Sequence, residues 1–165
     1  ALERSRQMQA LTRTLAEERA RNAAVDAHER QEIERAQEVR ALAQAQRFAA
    51  SLLGRLANPA VEARLVDLLL EDWELLPEME VAGLRTAAAA KGAGVAVTSA
   101  FALAPDQRRR ITVALVDKLG QGIPVTFSED GQLLSGLRLS LGSWRLHLNF
   151  ADELAAFAAS PNHVN

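Results

Sequence analysis

Histidine, cysteine, serine and paired carboxylates build most enzyme and metal sites, and in this sequence they do not converge. His28, His147 and His163 lie far apart, with no pair at the i,i+4 spacing that puts two imidazoles on one helix face for zinc. Cysteine is absent, which removes disulfides and thiolate metal sites. Ser99 falls in a β-branched run without a G-x-S-x-G frame, so its reading is structural rather than nucleophilic. Ala90-Lys91-Gly92-Ala93-Gly94 has the composition of a phosphate loop but not the G-x-x-x-x-G-K-[ST] order. It also precedes a strand pattern, where a phosphate loop precedes a helix. Asp117 and Asp130 have no evident partner carboxylate for acid–base work. The expectation is a chain with no catalytic residue, no metal and no cofactor.

What remains are residues suited to binding. Arg108-Arg109-Arg110 near a helix start is a solvated face on the simplest reading, and a set of ion-pair donors to a partner's acids on the sharper one. Trp73 and Trp144 are each core residues on the first reading and interface anchors on the second. A formal net charge of −2 and a pI near 6.0 argue against nucleic acid as a partner.

The elements that carry these residues divide sharply by composition. Residues 1–47 hold no Lys, Gly, Pro or Trp, and every turn-forming Gly and Pro lies beyond them. Ala, Arg, Glu, Gln and Leu dominate from Leu2 to about Leu56, which predicts one uninterrupted helix roughly 80 Å long. Its apolar positions are thin: Leu2, Met8, Leu11, Leu15, Val25, Ile33, Val39 and Leu42. That stripe suits a slender seam against a second helix, and Leu11, Leu15, Val25 and Ile33 are its candidate contacts. Leu11, Asn22, Ile33 and Gln44 recur every eleven residues, the period of a straight or right-handed pair. Pairs such as Glu17–Arg21 and Arg30–Glu34 stand at i,i+4 and read as a solvated surface. From Phe48 to Leu56 the apolar content rises, and the helix is expected to begin burying a face there. The chain opens at Ala1 inside this helix, without Met, as expected of a fragment.

Asn58-Pro59 supplies an N-cap and a first-turn proline for a second helix over 59–72, apolar on most sides. A weaker helix over 78–90 stops at Lys91-Gly92. A strand over Gly94–Ala100, a helix from Pro105 with Ile111, Ala114, Leu115 and Leu119 on one face, and a strand over Ile123–Phe127 follow. Pro124 marks that strand as an edge or a strand start. Asp130-Gly131 turns into a strand over Leu133–Leu141, and Gly142-Ser143 turns again into Trp144–Asn149. A helix over 151–159 closes the pattern. The expected fold class is α+β: a long N-terminal helix, then a small β-α-β-β-β-α domain with a four-stranded sheet. The expected divisions are 1–57, a helical connector over 58–91, and 92–165.

Val95-Ala96-Val97-Thr98-Ser99-Ala100, followed by Leu103, Pro105, Gln107, Leu115 and Leu119, resembles the V-x-V-x-S-A…L-x-x-x-Q strand and helix of the ATP synthase delta subunit. The mitochondrial counterpart in that family is the oligomycin-sensitivity-conferring protein. Leu134–Gly142 resembles the family's following I-G-G hairpin, with Ser135 where the first glycine of the pair stands. The similarity covers roughly the last 70 residues. The family's N-terminal helical bundle is replaced by a long charged helix similar to the cytoplasmic part of subunit b. The combination resembles the fused b/delta-like subunit of alternative bacterial ATPases.

That resemblance implies a non-catalytic stator piece of a rotary proton- or sodium-translocating ATP synthase at the cytoplasmic face of the bacterial inner membrane. Its implied partners are another stalk helix, from the same chain or a sister subunit, and the catalytic head. A membrane would be reached only through a segment upstream of Ala1. Arg108, Arg109 and Trp144 are then candidate contacts from the C-terminal domain. The vacuolar-type ATPase and flagellar or type III export stators share this plan, and a general coiled-coil interaction protein shares the helix alone.

Overall fold

The computed structural model describes residues 2–159. The chain divides into two units, residues 1–45 and 46–165. Residues 2–45 of the first unit lie on α1, a helix of 55 residues from Leu2 to Leu56 in which no residue is buried. High helix propensity and the absence of helix breakers account for its length. Thr12 and Thr14 fold their hydroxyls back onto the carbonyls of Met8 and Ala10 instead of competing with the helix.

In the second unit, Asn58 ends one helix and starts the next. Its Oδ1 accepts from the backbone N–H groups of Ala60 and Val61 at 2.9 and 3.0 Å, and Pro59 opens α2 (Pro59–Glu74). After a break at Leu75–Pro77, α3 runs over Glu78–Ala88. Then follow β1 (Val95–Ser99), α4 (Pro105–Leu119), β2 (Val125–Glu129), β3 (Gly136–Leu141), β4 (Trp144–Asn149) and α5 (Phe150–Ala159). The sheet order is β2-β1-β3-β4, with β1 and β2 parallel and the other two pairings antiparallel. Both the long helix and the four-stranded β-α-β-β-β-α domain are therefore as the sequence predicts.

Register aligns Val97 with Phe127 and Leu139, and Leu137 with Leu148, so one sheet face is apolar throughout. That face packs on Val66, Leu69 and Trp73 of α2, Leu84 of α3, and Ile111, Leu115 and Leu119 of α4. The other face is polar, with Thr98 and Ser128 hydrogen-bonded across β1 and β2 at 3.1 Å. Cations finish the helix ends: Lys118 Nζ donates to the carbonyls of Trp73 and Glu74 at the end of α2, and Arg85 Nε donates to Lys118 O at the end of α4.

Three expectations need correction. Phe48, Leu52 and Leu56 do not bury a face: they are 70, 43 and 51% exposed, and of the stretch 48–56 only Ala49 and Leu53 are half-buried. The strand expected from Leu133 begins at Gly136, because Asp130 caps a 3-10 turn over Gly131–Leu133 and Leu134 takes a left-handed φ of 67°. Leu133 is still buried, from the turn rather than the strand. The strand expected from Ile123 begins at Val125. Pro124 has no N–H to give, but its carbonyl accepts from Val95 N at 2.8 Å at the start of the β1–β2 ladder. β2 is an edge strand, which is where a preceding proline is tolerated.

Candidate partner interfaces

On α1 the seam residues stand out to solvent. Leu11, Leu15, Val25 and Ile33 are 57, 44, 53 and 57% exposed, and none has a buried neighbour on its own helix. Among the described residues α1 makes one ion pair, Arg35–Glu32 at 3.4 Å with both side chains exposed, so the charges form a solvated surface. His28 is exposed on this helix and His147 on β4, while His163 lies outside the described residues. No group of three or more His, Cys, Asp or Glu among the described residues could hold a metal. No helix among them is long and apolar enough to cross a membrane.

In the second unit the three arginines at the start of α4 part company. Arg108 donates to Leu103 O and lies over the Phe127 ring at 5.5 Å from its centroid. Arg109 pairs with Asp106 at 2.8 Å, one turn back on the same helix, and stays exposed. Arg110 crosses to Asp67 of α2 at 2.8 Å. Arg109 and Arg110 border a shallow groove between α2 and α4 whose floor includes Leu70, Val113 and Ala114, with Glu74 and Asp117 also on its rim. Trp144 is half-buried. Its ring meets Trp73 edge-on at 5.9 Å, and its Nε1 donates to Glu80 at 3.3 Å. Trp73 is 1% exposed and donates to Ala114 O at 2.9 Å, which makes it a core residue.

The motif residues prove to be positioning groups. Ser99 Oγ donates to Phe101 O at 2.7 Å, and Gln107 Oε1 accepts from Ala104 N at 2.8 Å, closing the first turn of α4. Gly136 has φ 106°, and a Cβ there would stand 2.1 Å from Leu148 O, so glycine is required where β3 starts against β4.

Two polar clusters escaped the sequence reading. Glu62 is 2% exposed, and its carboxylate accepts from Phe101 N at 2.9 Å and Gly136 N at 3.0 Å. It thus ties α2 to the loop after β1 and to the first residue of β3. Burial pushes its carboxyl above the ordinary value, while the N–H donors of Gly136, Phe101 and Ala100 pull the other way. The signal was its spacing: Glu62, Val66, Leu69 and Trp73 form one helical row, and the row is buried. Beyond β4, Arg138 forms a bidentate pair with Asp152, which also accepts from Asn149 Nδ2 at 2.7 Å. Asn149 Oδ1 in turn accepts from Asp152 N at 2.8 Å, capping α5. The Arg138 guanidinium holds the Asp152 carboxyl below the ordinary value. Here the signal was Asn149 with an acid three residues on. Both clusters are saturated by internal donors, so their chemistry is fastening rather than turnover.

A family model described as ATP synthase delta (OSCP) subunit matches residues 4–160. ATP synthase subunit b 2 of Methylococcus capsulatus is 32% identical over 131 residues, covering 79% of this chain and 52% of that protein. ATP synthase subunit b 2 of Syntrophus aciditrophicus is 30% identical over 108 residues, 65% of this chain and 39% of that protein. ATP synthase subunit delta of Chromobacterium violaceum is 30% identical over 112 residues, 66% of this chain and 62% of that protein. The chain thus spans about half or less of the two subunit b relatives.

Proposed function

The chain belongs to the ATP synthase delta (OSCP) subunit family, and from that premise we propose that it is a fused b/delta-like, non-catalytic subunit of the peripheral stalk of a rotary F-type ATP synthase. One observation carries the reading. A helix of 55 residues with no buried side chain and a delta-like α/β fold stand in one chain, and relatives bearing both subunit names align with it.

The mechanism is mechanical. Rotation of the membrane ring against the catalytic head requires a stator that does not turn with it. Residues 1–57 pair along the seam of Leu11, Leu15, Val25 and Ile33 with a second stalk helix, which multiplies the bending stiffness of either helix alone. Residues 58–91 connect, and residues 92–165 attach to the head or to a sister stalk chain, with Arg108, Arg109 and Trp144 on the attaching surface. The ion moved is a proton or sodium. The assembly sits at the cytoplasmic face of the bacterial inner membrane.

The test is deletion of residues 92–165 in the complete complex. Loss of coupling between ATP hydrolysis and ion translocation, with hydrolysis by the head retained, supports the assignment. Full coupling after the deletion refutes it.

A further inference from the structure

From Glu3 to Glu38 acids and arginines are interleaved, but between Glu38 and Glu62 the chain holds Arg40, Arg47 and Arg55 and no acid at all. Within the second unit, Phe48, Leu52 and Leu56 recur every four residues and form one exposed row on α1. Arg47, Ser51 and Arg55 form the adjacent row, also exposed. Among the described residues, neither Arg47 nor Arg55 enters an ion pair. Arg109 and Arg110 beside the α2–α4 groove differ, since both already hold carboxylates of this chain. The end of α1 is therefore an apolar ridge edged by unpaired positive charge.

We propose that this ridge is the docking face for an acidic amphipathic helix of the second stalk chain, with carboxylates opposite Arg47 and Arg55. The inference rests on the stalk reading and adds the chemistry and identity class of the partner. A parallel, in-register second copy of this chain does not fit. It would bring two arginine rows together over a stretch with no acid to answer them, and like charges across a helix pair destabilise it. The partner is a different chain whose own segment here is rich in Asp and Glu beside an apolar stripe.

The experiment uses the complete purified ATP synthase carrying a photo-cross-linking Leu52→p-benzoylphenylalanine substitution, with the captured peptide mapped by mass spectrometry. The expected capture is an acid-rich helical segment of another stalk subunit. R47E/R55E should lower the cross-link yield about tenfold, from loss of two ion pairs, and R47K/R55K should keep it. Capture of a second copy of this chain, capture of a segment without acids, no capture, or a yield indifferent to R47E/R55E overturns the proposal. Absence of the chain from the purified complex overturns the stalk reading itself, which separates the two failures.

Discussion

Val66, Leu69 and Trp73 on α2 and Leu11, Val25 and Ile33 on α1 are alike in chemistry and opposite in fate. The first three are at most 1% exposed and share a core with the sheet, whereas the second three are 53 to 57% exposed. Spacing makes the difference. On α2 the apolar positions fall in one dense row, so a face closes against a neighbour. On α1 they are separated by solvated turns and cannot close a core. A core defines a fold by itself, and a sparse stripe does not. The domain is therefore expected to fold unaided, and α1 to gain most of its stability on pairing.

Trp73→Ala tests that contrast most severely. It removes a large buried ring, its hydrogen bond to Ala114 O and its edge contact with Trp144. The expected cost is about 3–5 kcal/mol in chemical denaturation of the domain. A loss under about 1 kcal/mol would mean that α2 is not part of a self-sufficient core.

Asp152→Asn breaks a charge-assisted pair and should cost about 1.5–3 kcal/mol at pH 7. Because the Asp152 carboxyl titrates below its ordinary value of 3.8, its stabilisation is present above that value and is lost as pH falls below it. The gap between parent and variant should therefore narrow in acid, and a gap constant from pH 7 to pH 2 would show that the pairing is not the cause.

Glu62→Gln keeps the shape but turns an amide N–H toward one of two backbone donors, at an expected cost of about 1–3 kcal/mol. Its titration has the opposite sign. Burial raises the Glu62 carboxyl above 4.5, so its contribution is greatest below that value and declines as pH rises through the folded-state value. The gap to the Gln variant should thus widen in mild acid, as a urea series between pH 7 and pH 4 can measure.

Ile33→Ala is the smallest test of folding and the sharpest of pairing. The isolated chain should lose no more than about 0.5 kcal/mol, as for an exposed position. The assembled stalk should release the chain more readily, which co-purification under rising salt and detergent would record. A large loss in the isolated chain would mean that α1 is self-stabilised and would erase the contrast between the two regions.

Periodicity and breakers made the elements legible. The missing Gly and Pro in residues 1–47 drew the long helix, Asn58-Pro59 drew its end, and the alternation from Trp144 to Asn149 drew the last strand. What stayed hidden depended on contacts distant in sequence. Glu62 takes its role from Phe101 and Gly136, 39 and 74 residues further along the chain, and the Arg138–Asp152 pair spans a strand, a turn and a helix start. Phe48, Leu52 and Leu56 misled for the converse reason: composition tells that a face is apolar and not whether this chain covers it. Of the candidate contacts, Leu11, Leu15, Val25 and Ile33 were legible as a sparse apolar stripe, and they are exposed on α1. Sequence alone could not tell that Arg108, Arg109 and Arg110, consecutive in the chain, hold three different partners.

The strand order has a consequence for how the protein is made. β1 lies between β2 and β3, so its antiparallel neighbour is complete only when Leu141 has been added, 42 residues after Ser99. Until then one edge of an apolar strand has nothing to pair with, while α1 needs only local contacts and can form as it emerges. The order of synthesis is thus long helix first and sheet last. A ribosome stalled shortly after β3 would carry the whole of α1 beside an incomplete sheet, the stage at which chaperone binding is most needed.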